Sequence, residues 1–134
     1  MRLVMLSPAE LQKEYIVTFE DRPGYLYAHI KGEKKDLSVA RMYWTQIAEK
    51  ALSANHERVM VVEDFAETIS IAEVHQLVSE LSELPIHDIR VAFVDPHVQH
   101  KSLNEFGILV GENRGLTLQS FDTPDQAEDW LKKN

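Results

Sequence analysis

The chain has no cysteine. Disulfides, thiolate metal sites and a cysteine nucleophile are therefore excluded, and a reducing compartment is the natural setting. Glycine and proline are sparse, five of each in 134 residues, which is unlike low-complexity or fibrous sequences. Basic charge is short as well: 14 Lys and Arg stand against 22 Asp and Glu, a formal net charge of −8. No basic cluster exceeds Lys34-Lys35 or Lys132-Lys133, so the footprint that nucleic acid requires is missing. Anionic membrane surfaces would repel such a molecule on average. No apolar run approaches the ~20 residues of a membrane-spanning helix, and the opening Met1-Arg2-Leu3-Val4-Met5-Leu6 is too short for a signal peptide. These absences lead us to expect one cytoplasmic domain over residues 1–134, without metal or cofactor.

What remains is an ordered succession of periodicities. Ser7-Pro8-Ala9-Glu10 has capping-box spacing for a short helix reaching about Lys13. Ile16 to Glu20 alternates, Pro23-Gly24 fits the centre of a type II turn, and Tyr25 to Lys31 reads as the returning strand of a hairpin. Gly32 to Asp36 looks like the most flexible loop. Ala40, Trp44, Ile47, Ala48, Ala51 and Leu52 recur at helical spacing, predicting a helix from Leu37 to about Asn55. Arg58 to Glu63 is a continuous apolar run, as in a strand covered on both faces. Ser70 to Glu73 is a second capping box, with Ile69 and Val74 at staple positions, and it opens a helix striped by Val74, Leu77, Val78 and Leu81.

Ile89 to Val94 repeats the buried-strand pattern, and Asp95-Pro96 predicts an N-cap and first helical residue. The following segment is apolar but irregularly striped, and it contains Gly107 and Gly111. Two readings stay open for it: a lid over an apolar cleft, or a helix whose glycines permit close packing. Gly115 fits a helix C′ position, Leu116 to Phe121 a strand, and Thr123-Pro124-Asp125-Gln126 the cap of a closing helix carrying Ala127, Trp130 and Leu131 on one face. The expected fold is α/β: a single mixed sheet flanked by helices, with an antiparallel N-terminal strand pair followed by parallel strand–helix alternation.

The strand pair before the first long helix, Arg90-Val91-Ala92-Phe93-Val94, and Asn113-Arg114-Gly115 leading to Phe121 and Ala127-Glu128-Asp129-Trp130-Leu131 resemble SpoIIAA-like proteins of the STAS superfamily over about residues 15–133. The resemblance implies a regulatory or protein-interaction module, with similarity to lipid-binding folds as a second implication. It also implies a phosphorylatable Ser at the start of the helix after the third strand. Ser70 is the nearest match, but the Ser-Gly pair of that pattern is absent.

Five residues stand out as candidates for binding a ligand or partner: Asp64, Ser70, Asp95, Phe106 and Leu109. Asp64 and Asp95 belong at the carboxyl ends of neighbouring strands, where open α/β sheets commonly receive ligands. Acid–base chemistry by these carboxylates is the third functional reading, after partner binding and apolar-ligand binding. Phosphorylation of Ser70 is disfavoured, because Glu63, Asp64, Glu67 and Glu73 would repel a dianion. His97 and His100, three apart, sketch a metal site with Asp95, yet the ligand count is short and solvated histidines are the simpler expectation. Tyr25, Tyr27, Tyr43, Trp44 and Trp130 read as core rather than pocket lining. The expected function is a non-catalytic module that binds a protein partner, with self-association into a homodimer compatible with that role. The alternative is a carrier of a small apolar ligand such as a lipid, held in a cleft covered by residues 97–113.

Overall fold

The computed structural model describes residues 15–133; the helix expected over Ser7 to Lys13 lies outside them. Strand β1 (Tyr15–Arg22) runs antiparallel to β2 (Tyr25–Lys34). Gly24 turns the hairpin at φ +87°, the conformation that the second central residue of a type II turn requires. Helix α1 (Leu37–Ser53) leads to β3 (Arg58–Glu67), α2 (Ile71–Leu81) to β4 (Arg90–Val94), and α3 (Lys101–Asn113) to β5 (Thr117–Phe121), before α4 (Pro124–Lys132) closes the chain. The five strands lie in the order β1-β2-β3-β4-β5, with every pair after the hairpin parallel.

This order decides the layers. Each parallel crossover steps one strand in the same direction, so right-handed connections place successive helices on the same face. The main core accordingly packs Ala40, Tyr43 and Ile47 of α1 and Leu77 of α2 against Leu26, Ala28, Ile30, Val59, Val61 and Phe93, with Ile108 of α3 beside them. The opposite face is covered by α4, whose Ala127 and Leu131 meet Tyr25, Met60, Val62, Ala92 and Val94. Because β3 and β4 are covered on both faces, Val59 to Val62 and Val91 to Val94 are continuously apolar. Among the described residues no helix covers the second face beyond α4, and Ile16 on edge strand β1 is 67% exposed.

Local signals set the element ends. Asp36 accepts from Val39 N–H at 2.8 Å and caps α1. Ser70 and Glu73 form a reciprocal capping box on α2. Helix α3 ends in a Schellman motif: Leu116 N–H donates to Gly111 C=O and Gly115 N–H to Glu112 C=O, each at 3.0 Å, with Gly115 at φ +87°. Thr123 caps α4 through Gln126 N–H, while the Gln126 side chain returns to Asp122 N–H.

Three expectations need correction. Strand β2 continues to Lys34, so the loop expected over Gly32 to Asp36 is largely strand, and Lys35 is buried. Strand β3 continues to Glu67 and takes Asp64 into the sheet. Asp95 caps no α-helix: a 3-10 turn over Val98–His100 intervenes and α3 begins at Lys101.

Candidate functional site

The carboxyl-terminal rim of the sheet gathers Asp64 at the end of β3, Ser70 at the start of α2 and Asp95 just past β4. Asp95 is almost fully satisfied. Its Oδ1 accepts from His97 N–H at 2.8 Å, and its Oδ2 accepts from His100 Nδ1 at 3.0 Å and from Asn104 Nδ2 at 2.9 Å. One carboxylate thus folds the Pro96-to-Lys101 turn and pins the first turn of α3 to it. A short polar side chain bonding its own backbone two residues on is an Asx turn, which competes with helix capping. His97 Nε2 donates to Asp64 Oδ1 at 2.6 Å, tying the same turn to β3. The two imidazole rings lie 5.3 Å apart between centroids. Asp64 and Asp95 are therefore brought together through histidines rather than through a shared ligand. Among the described residues no group of His, Asp and Glu is placed to hold a metal ion.

His100 is buried, which corrects the expectation of a solvated histidine. The Asp-x-His and His-x-x-His spacings were the signals available for this network. They lacked the pairing to β3, which only the sheet register supplies. Lys35 and Glu63 form a second cluster that periodicity could not reveal, a buried ion pair between the end of β2 and β3. Tyr43 lies close to it on α1. Burial, followed by the neighbouring charge of Glu63, pushes its phenol well above the ordinary tyrosine range, and its hydroxyl has no hydrogen-bond partner of good geometry.

Ser70 is exposed and carries a complete cap. Its Oγ accepts from Glu73 N–H at 3.2 Å, while Glu73 Oε1 receives both Ser70 N–H at 3.0 Å and Ser70 Oγ–H at 2.9 Å. The Glu73 carboxylate thus already occupies the positive end of the α2 dipole, where an added phosphate would have to sit.

Phe106 and Leu109 lie on α3, away from the rim carboxylates. Phe106 is half-buried with its ring 6.4 Å from that of His75 on α2, whereas Leu109 is 55% exposed. The two glycines mark the closest approaches of α3. A Cβ at Gly107 would stand 3.1 Å from Val74 Cγ1, and one at Gly111 only 2.8 Å from Leu118 Cδ2. Between α2, α3 and the sheet lies an apolar cavity of about 100 Å³, walled by Trp44, Ile69, Leu77, Phe93 and Ile108 and closed at one end by Lys35 and Glu63.

Exposed apolar side chains flank the rim network. Val98, carried by the 3-10 turn, is 80% exposed, and Ile71, the first residue of α2, is 59% exposed. The whole frame, antiparallel pair, parallel succession and four helices included, matches the crystal structure of an anti-sigma factor antagonist from Mycobacterium paratuberculosis with a TM-score of 0.57. The chain shares the fold of that antagonist, as the mixed sheet flanked by helices was expected to. The match covers 96% of this chain and 100% of that one at 14% identity, so the likeness rests on backbone arrangement. No family model matches the chain, and no curated protein matches its sequence. Among the described residues, no helix is long and apolar enough to cross a membrane.

Proposed function

We propose that the chain is a non-catalytic regulatory module that docks a protein partner on the carboxyl-terminal rim of its sheet, in the cytoplasm. The observation that carries this reading is the exposure of Val98, on a turn fixed by the Asp64–His97 and Asp95–His100 pairs, and of Ile71, on a helix start fixed by the Ser70–Glu73 capping box. Large apolar side chains held rigidly in water lower the entropic cost of burying them against a partner. The structural neighbour, named as an antagonist of an anti-sigma factor, supports regulation by protein contact. Asp64, Ser70 and Asp95 frame the docking rim, and Phe106 with Leu109 extends it along α3. Both rim carboxylates orient the turn through His97 and His100. Ser70 acts as a cap, so docking does not depend on its phosphorylation.

The test is affinity capture from the native lysate with wild-type protein and with Val98→Asp/Ile71→Asp. A partner retained by the wild type and lost with the variant supports the reading; equal capture by both sinks the rim as the docking surface.

The apolar cavity favours a second reading, a carrier of a small apolar ligand beneath α2 and α3. Native mass spectrometry of freshly purified protein decides it. A co-purifying organic molecule that Gly107→Leu excludes would support the carrier, and an empty chain would remove it.

A further inference from the structure

Beside Val98 lies a second cavity of different character, about 220 Å³, between the first turns of α3, the end of β5 and the start of α4. Its charged lining is Asp95, Glu105 and Asp122 against Lys101, three carboxylates to one ammonium. Asp95 is occupied by its three internal donors. Glu105 makes no hydrogen bond or ion pair among the described residues. Asp122 has only a loose contact with Lys101, 3.8 Å between side chains that are 69% and 56% exposed. Among the described residues the cavity thus holds one carboxylate without a partner and one only loosely paired. Ser120 and Phe121 also line it, and the Phe121 ring packs against that of Trp130 on α4, 5.6 Å between centroids.

Resting on the docking surface proposed above, we infer that this cavity receives an arginine side chain of the protein partner. A guanidinium is planar, always charged and weakly hydrated, and its fork of donors matches carboxylate oxygens bidentately. Glu105 and Asp122 supply the carboxylates. Lys101 is displaced towards solvent when the guanidinium enters, at little cost for so loose and exposed a pair. Val98 on the lip then covers an apolar side chain next to that arginine. The partner's docking segment is therefore basic and apolar in alternation, complementary to a chain of net charge −8.

The probe is N-acetyl-arginine amide, titrated into the isotope-labelled full chain and followed by amide chemical shifts. The uncharged N-acetyl-citrulline amide, of nearly the same shape, is the control. The arginine probe is expected to give saturable shifts confined to residues 97–105 and 120–126, and the citrulline probe none. Glu105→Gln/Asp122→Asn should weaken binding about tenfold, as for two modest ion pairs lost together. Asp125→Asn/Asp129→Asn, which removes equally exposed carboxylates from α4, should bind as wild type. Absent shifts, equal shifts with citrulline, or equal weakening in the α4 variant would each overturn the inference. A Val98-dependent partner with no arginine binding would defeat the inference alone and leave the docking rim standing.

Discussion

At the scale of single residues, the fold depends on a few polar groups whose partners are far apart in sequence. Lys35 and Glu63 are buried together between β2 and β3. Removing one partner leaves an uncompensated buried charge, so Lys35→Met should cost about 3–5 kcal/mol in urea unfolding, whereas Lys35→Met/Glu63→Leu should recover most of that loss. Tyr43 shows the opposite economy. Its buried hydroxyl lacks a partner of good geometry, so Tyr43→Phe should keep or raise stability at neutral pH. The sign of its pH dependence follows from the raised phenol pKa, caused first by burial and then by Glu63. Stability from keeping the phenol neutral is complete below the ordinary value of 10.0 and is lost as pH rises through the higher folded-state value. Alkaline unfolding of the wild type should therefore begin above about pH 10, and Tyr43→Phe should soften that limb.

Residue identity alone revealed little of this. The Asp95 carboxylate was legible as a local capping group, and it does bond its own backbone, but as an Asx turn to His97 rather than as a helix cap. Nothing in the sequence pairs His97 with Asp64 across 33 positions. That contact exists because β3 runs past its apolar stretch to Glu67 and carries Asp64 level with the turn after β4.

At the scale of elements, sequence and structure agree best where caps and periodicity coincide. Helix α2 opens at the capping box expected of Ser70 and Glu73, and α3 closes at Gly115. Ser70→Ala should cost about 1 kcal/mol, the usual value of such a cap. Substituting Gly115 by Ala forces a β-carbon into a left-handed conformation and should cost about 1–2 kcal/mol. Gly111→Ala sets two effects against each other. Helix propensity favours alanine by about 1 kcal/mol, but the new Cβ would meet Leu118 methyls at 2.8 and 3.3 Å and Val78 at 3.4 Å. Overpacking of this kind costs about 1–3 kcal/mol, so Gly111→Ala should destabilise. Gly107→Ala, facing Val74 at 3.1 Å with Val78 at 3.8 Å, should be nearly neutral. Denaturant midpoints for the two alanine variants check this difference. The irregular stripe of α3, apolar yet broken by glycine, came from these approaches, and the exposed Leu109 on it and Val98 on the turn before it belong to surface rather than core.

At the scale of the whole molecule, one-directional parallel crossovers load three helices on one face and leave α4 to cover part of the other. This succession could be read from strand–helix alternation, since right-handed connections allow few alternatives. The docking rim could not, because it depends on which strand ends stand side by side. Its acidic surroundings and the chain's charge of −8 suit a basic partner, so association should slow and weaken as ionic strength rises. The central claim is that the partner sits on this rim. Hydrogen–deuterium exchange of the isolated complex against the free chain tests it most directly. Docking on the rim predicts added protection over residues 68–73 and 96–109, with β1 and the outer face of α4 unchanged. Protection confined to β1 and the open sheet face around Ile16, with the rim exchanging as in the free chain, would contradict the account.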